Sequence, residues 1–187
     1  GGVFDGARAA RDLERIVTAD AAFWGGLPYD KYVFFNLLTG VGGGLEHRNS
    51  VMMTASRWSQ GTRAAYLDWL SLASHEYFHL WNVKRLRPIE LGPFDYEHEN
   101  YPRSLWISEG LTDYYADLQL RRAQLVTDRE YLSLLSKTIH DLQTTPGRLT
   151  LPVETASRTA RSSSRSSKGC QSGRAASSTA TRSSSLR

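Results

Sequence analysis

SHEYFHLWNV, Ser74 to Val83, decides how the rest of this sequence is read. Two histidines stand four residues apart, and Glu76 follows the first of them. Residues i and i+4 share one face of an α-helix, so His75 and His79 can offer two imidazole nitrogens to one metal ion. Glu76 lies about 100° round from His75, at the rim of that face, within reach of a water on the ion. Zinc suits imidazole and carboxylate donors, and a catalytic zinc site keeps a fourth position for water. The ion lowers the pKa of that water to about 7, and an adjacent carboxylate can remove its proton. H-E-x-x-H therefore spells out a hydrolytic mechanism. It also fits a pair of buried histidines beside a salt-bridging glutamate, and a third ligand is what would separate the two readings.

The candidate for that ligand is Glu109, in WISEGLTDYY, Trp106 to Tyr115. Between it and the histidines, Pro88 ends a helical pattern running from Ala64 to about Arg85, and ELGPFDYEHENYPRS reads as a loop. A helix starting near Ser108 would then bring Glu109 back to the histidines, so that two helices hold one ion. Asp113 falls one turn further along the same face. A ligating histidine usually donates its other N–H to a carboxylate or carbonyl, and Asp113 suits that role. The alternatives are an acid favoured by the helix dipole for Glu109 and simple solvent exposure for Asp113.

Working outward, ARAARDLERIVTADAAFWG carries apolar residues at helical spacing and predicts a helix over 7–24. KYVFFNLL, Lys31 to Leu38, reads as a buried strand, and LEHRNSVMMTA, Leu45 to Ala55, as a second one after a glycine-rich turn. TDREYLSLLSKTIHDLQTTPG predicts a last long helix, capped by Thr127 or Asp128 and stopped at Pro146–Gly147. Strands first and helices later predict an α+β domain.

Hydrophobic residues make up 40% of the 187, enough for a globular core. No apolar run approaches the roughly 20 residues that span a membrane. The start lacks Met and a signal pattern, which reads as an internal fragment or a processed chain and leaves the compartment open between cytoplasm and periplasm. The net charge of +4 misleads: residues 155–187 hold seven Lys/Arg and no acid, so residues 1–154 carry −3. A nucleic-acid partner is not indicated. The chain therefore divides into a globular unit over 1–154 and a tail over 155–187 in which twelve of 33 residues are Ser. The tail has no aromatic residue and is expected to be disordered. Either it is a natural Ser/Arg segment or a frameshift follows codon 154; the abrupt change after GRLTLPVE favours the frameshift.

HEYFHLWNVKRLRP followed by WISEGLTDYY resembles the glycyl aminopeptidase family of zinc metallopeptidases, of the PDZ-containing aminopeptidase type. These are gluzincins, whose third ligand is a glutamate on the helix after H-E-x-x-H. GGLEHRNS, Gly43 to Ser50, looks like this family's counterpart of the Gly-x-Met-Glu-Asn strand of broader zinc aminopeptidases. The resemblance covers most of residues 1–154 and none of the tail. It implies a thermolysin-like catalytic domain, incomplete at its C-terminus, with a small mixed sheet packed on helices. It implies zinc as cofactor and release of small N-terminal residues such as Gly or Ala from peptides with a free N-terminus.

Residue by residue, the resemblance makes His75, His79 and Glu109 the zinc ligands, Glu76 the general base and Glu46 the group that binds the substrate's α-amine. An edge strand can pair with an extended peptide, and a carboxylate at its end would select an ammonium. Gly43 and Gly44 would allow close backbone approach there, a flexible hairpin being the plainer alternative. The family's oxyanion-stabilising tyrosine, expected in a Tyr-x-Lys-Gly-type segment, has no counterpart in this sequence. Losing one oxyanion donor typically costs about 10²–10³ in kcat. Two rival readings remain open: an endopeptidase or other zinc hydrolase on the same scaffold, and an inactive zinc- and peptide-binding fragment.

The other polar residues have plainer readings. Lys84, Arg85 and Arg87 read as a solvated helix end rather than a carboxylate clamp. DYEHE, Asp95 to Glu99, reads as an exposed acidic loop rather than an auxiliary metal site. His47 is either a cleft or a surface residue, and His140 a surface one. Trp81, Trp106 and Tyr77 are expected in the core.

Overall fold

The fold is known from a computed structural model that describes residues 2–40, 42–93, 95, 97–98 and 100–159. Helix α1 (Gly6–Trp24) starts where the Asp5 carboxylate accepts the Ala7 and Arg8 N–H groups and ends at Gly25 in the left-handed conformation. Strands β1 (Val33–Thr39), β2 (Gly43–Glu46) and β3 (Ser50–Ser56) follow. They form one mixed sheet in the order β1-β3-β2, with β1 parallel and β2 antiparallel to β3. Helices α2 (Arg63–Phe78), α3 (Leu105–Arg122), α4 (Asp128–Thr144) and α5 (Val153–Thr159) complete an α+β domain. Thr127 caps α4 through a reciprocal box with Glu130, which also holds Arg63 at the start of α2.

Helix α2 is the centre of the molecule. It packs on α1 and α3 and on the inner side of β2 and β3. Tyr66, Leu70, Ala73 and Tyr77 are buried with Ile16 of α1, Val51 and Met53 of β3 and Leu120 of α3. A helix covered on so many sides has no single polar face, which is why apolar residues run round it. Ser74 faces Ala116 of α3, both are buried, and the small side chains let the helices approach closely; Ser74 Oγ donates to the Ala116 carbonyl at 2.9 Å.

Four expectations are corrected. β1 is an edge strand, not a buried one. Among the described residues, helices cover only the sheet face of Phe34 and Asn36, and Phe35 and Leu37 stand exposed on the other, in register with Met52 and Thr54 of β3. The stretch read as one second strand is two, β2 and β3, joined by a tight hairpin closed by His47 N–H to the Ser50 carbonyl at 2.8 Å. Helix α2 stops at Phe78 rather than near Arg85. Asn82 is drawn off the helix because its amide donates to Ser108 O and Thr112 Oγ1, both at 2.9 Å, and side-chain pairing overrides helix propensity there. Finally, α5 crosses the boundary expected at residue 154: Ser157 is buried and accepts the Trp106 N–H at 3.0 Å. The remainder of the Ser/Arg stretch, from residue 160, lies outside the described residues.

Asp20 of α1 is fully buried, and neither of its oxygens makes a hydrogen bond of good geometry to any described residue. Burial pushes its pKa up to about 8, against smaller opposing effects of Gln119 and Arg122. The unfolded chain releases this proton near pH 4 and the folded chain keeps it to about pH 8, so this group makes stability fall as pH rises across that window. Asp20→Asn is expected to flatten that slope. At pH 8 it should raise stability by on the order of 2 kcal/mol, or Tm by about 4–8 °C, in pH-dependent thermal unfolding.

Candidate active site

One stripe of α3 faces the end of α2. Glu109, Thr112, Asp113 and Ala116 recur at helical spacing along it. Because α2 and α3 pack closely at Ser74 and Ala116, the stripe meets His75 in the last turn of α2 and His79 just beyond it. His75 Nε2 lies 3.2 Å and His79 Nε2 3.5 Å from the same atom, Glu109 Oε2. The far nitrogens are held from behind. His75 Nδ1 is 2.7 Å from Asp113 Oδ1, and His79 Nδ1 is 2.8 Å from the Asn82 carbonyl oxygen, with Thr112 Oγ1 at 3.5 Å. Both rings thus keep their Nε2 atoms turned toward Glu109.

His75, His79 and Glu109 form a group that could hold a metal ion, and it is the sole such group among the described residues. A tetrahedral zinc with bonds of about 2.0–2.1 Å has ligand–ligand edges of about 3.3–3.4 Å. The 3.2 and 3.5 Å separations match that edge, and two imidazoles with one carboxylate are a suitable donor set. Electrostatics point the same way. Burial opposes protonation of His75, yet Asp113 and Glu109 hold its pKa up to about 10. Burial would raise Glu109, but the two histidines hold it well below the carboxylate range. The cluster is thus an anionic carboxylate that seeks a positive partner, and a divalent cation can replace the protons.

Glu76 is buried next to this cluster, and its Oε2 has no hydrogen-bond partner among the described residues. Burial pushes its pKa up to about 7, with the histidines opposing and Glu46 and Glu109 adding to the rise. Across from it runs β2. A Cβ placed on Gly44 would overlap the Glu76 Cγ, Cδ and Oε1, so only glycine leaves room for this carboxylate. Gly43 beside it has φ 153°, a conformation that L side chains rarely adopt. Glu46 ends the strand with its Oε1 3.0 Å from Lys84 Nζ.

Among the described residues β2 is also an edge strand. The His47–Ser50 bond fixes the alternation, and at Gly44 and Glu46 the backbone groups turn away from β3 toward the open edge. All the residues singled out in the sequence, His75, Glu76, His79, Glu109, Asp113, Gly43, Gly44 and Glu46, therefore line one region where the sheet edge meets α2 and α3.

Sequence reasoning missed Asn82 and Thr112 as the supports of His79. Each stands three residues past a candidate ligand, a helical spacing that could have marked them. It also missed Tyr32. This hydroxyl is buried without a hydrogen-bond partner among the described residues, and burial raises its pKa, helped by the charges of Glu76 and Glu46. Of Lys84, Arg85 and Arg87, expected as a solvated helix end, only Arg87 is exposed; the other two are half-buried. Lys84 crosses to Glu46, Arg85 donates to Leu80 O and Pro28 O, and Arg87 to Lys84 O, because the chain folds back once α2 stops. His47 is exposed, its Nδ1 3.1 Å from Leu45 O, and His140 is on the surface. Asp95 and His98 pair with each other at an exposed loop. Trp81 and Tyr77 are core residues, whereas Trp106 is 47% exposed at the first turn of α3.

No helix among the described residues is long and apolar enough to cross a membrane. A solved structure of an aminopeptidase N family protein from Idiomarina loihiensis is similar over 87% of this chain, with TM-score 0.81 and 32% identity. The chain spans 29% of the length of that protein. No curated protein matches. The family model for the M61 glycyl aminopeptidase matches residues 68–181, more than half of the chain. That span starts within α2, holds both histidines and Glu109, and continues into the Ser/Arg stretch that the sequence resemblance left out. This chain belongs to the M61 glycyl aminopeptidase family.

Proposed function

We propose that this chain is catalytic sequence of a zinc-dependent aminopeptidase that removes small N-terminal residues, such as Gly or Ala, from peptides. The observation that carries the reading is the convergence of His75 Nε2, His79 Nε2 and Glu109 Oε2 beside the buried Glu76, whose Oε2 has no hydrogen-bond partner among the described residues. Zinc at these three residues would supply Lewis-acid chemistry, polarising the scissile carbonyl and acidifying a water. Asp113 and the Asn82 carbonyl hold the two imidazoles in the tautomer that leaves Nε2 as donor. Glu76 accepts the proton of the attacking water and hands it to the nitrogen of the leaving amine. Its burial keeps it basic enough for both steps, and a neighbouring cation offsets part of that rise.

The substrate main chain adds as a strand to the open edge of β2, using the backbone groups of Gly44 and Glu46. The Glu46 carboxylate takes the terminal ammonium, which fixes the first peptide bond opposite Glu76 and excludes longer overhangs. The family's glycyl designation supports small first residues. The test compares a peptide with its N-acetylated twin on zinc-loaded protein. kcat/KM should be about ten- to thirtyfold higher for the free amine, the value of a partly buried charge-assisted hydrogen bond. Equal rates would assign an endopeptidase instead, and no turnover of either would favour a peptide-binding role.

A further inference from the structure

Lys84 stands where the substrate's own ammonium has to go. Its backbone N–H donates to the His79 carbonyl at 3.1 Å, which ties it to the turn that follows α2. From there the side chain crosses to the end of β2, and Nζ lies 3.0 Å from Glu46 Oε1. The two side chains are 15% and 21% exposed, so the pair is largely shielded from solvent. In such a setting an ammonium neutralises a carboxylate far more effectively than at a free surface. An incoming α-ammonium therefore meets a Glu46 whose charge is already balanced.

We propose that Lys84 is an internal substitute for the peptide N-terminus: it occupies Glu46 in the empty site and is exchanged for the substrate's ammonium on binding. This rests on the aminopeptidase reading above, and it names the residue that sets the affinity for the free amine. The exchange is cation for cation, so no net charge is buried when substrate binds. The long lysine stem lets Nζ swing to solvent while the backbone anchor at His79 stays. Apparent affinity is reduced by the fraction of molecules in which Glu46 is available. With Lys84 engaged about nine-tenths of the time, the loss is about tenfold.

Lys84→Met keeps the length of the side chain and removes the charge. On zinc-loaded protein carrying Glu76→Gln, which prevents turnover, calorimetry would follow binding of a Gly-Ala-Phe amide and its N-acetyl twin. Adding Lys84→Met should tighten the free-amine peptide by about tenfold and leave the acetylated one unchanged. Lys84→Arg, which keeps a cation on Glu46, should give no tightening. With Glu76 intact, Lys84→Met should lower KM and leave kcat alone. If Lys84→Met leaves free-amine binding unchanged or weakens it while the parent still prefers the free amine, Lys84 orients Glu46 rather than competing for it, and the exchange is wrong. If the parent shows no preference for the free amine, the aminopeptidase reading fails first and the exchange with it. Thermal unfolding of the variants identifies a folding defect, and if Lys84→Met is unstable, Lys84→Gln, which also removes the cation, carries the same comparison with the same expected tightening.

Discussion

Glu76→Gln is expected to lower kcat by about 10³, within the range of about 10²–10⁴ for loss of a general acid–base group. The amide is nearly the same size as the carboxylate, so the change removes the proton acceptor and little else. Zinc affinity should stay within a few-fold of the parent, because His75, His79 and Glu109 keep their mutual geometry and their supports at Asp113 and Asn82. The metal-free protein should not lose stability. Glu76 Oε2 is already without a hydrogen-bond partner among the described residues, and burying its ionised form is unfavourable. A matched set of measurements decides the point: peptide hydrolysis above the buffer rate, a zinc titration and a melting curve. Loss of zinc binding along with activity would mean that Glu76 is a ligand or a structural support. Retention of activity would remove it from proton transfer altogether.

What the sequence reveals of this site, and what it hides, follow from how each part is encoded. His75, Glu76 and His79 are local: their relation is fixed by one helix turn and is legible from five letters. Glu109 and Asp113 are legible because a second helix repeats the four-residue spacing. Their meeting with His75 depends on Ser74 and Ala116, whose smallness looks unremarkable in a sequence and matters only once two helices are known to face each other. The end of α2 was misplaced for a related reason. Local propensity continues the helix past Phe78, whereas Asn82 bonds to residues about 30 positions away. The same break turns Lys84, expected in solvent, back over the cleft. β1 differs from the buried strand its sequence predicts because a continuous apolar run looks alike whether it has two covered faces or one. Phe35, Met52 and Leu45 lie in register across all three strands on the side that no described helix covers.

Gly44→Ala is expected to cost about 10² in kcat while leaving the fold and zinc binding in place. The new methyl group would overlap Glu76 Cγ, Cδ and Oε1, so one of the two must yield. Gly44 is held in the sheet opposite Met53 of β3, a fully buried core residue, whereas the Glu76 carboxyl is the end of a flexible side chain. The carboxylate therefore moves, and displacement of a reacting group by about 1 Å typically costs about 10²-fold. None of His75, His79 and Glu109 is among the groups that a Cβ at Gly44 would meet most closely, so metal affinity is insulated. The decisive comparison is a double-mutant cycle. If Gly44 acts by seating Glu76, Gly44→Ala should do almost nothing further to protein that already carries Glu76→Gln. If the two losses multiply, Gly44 instead serves the peptide directly through the open edge of β2. In that case KM rather than kcat should carry the effect, since the backbone groups that receive the substrate strand would be the ones disturbed.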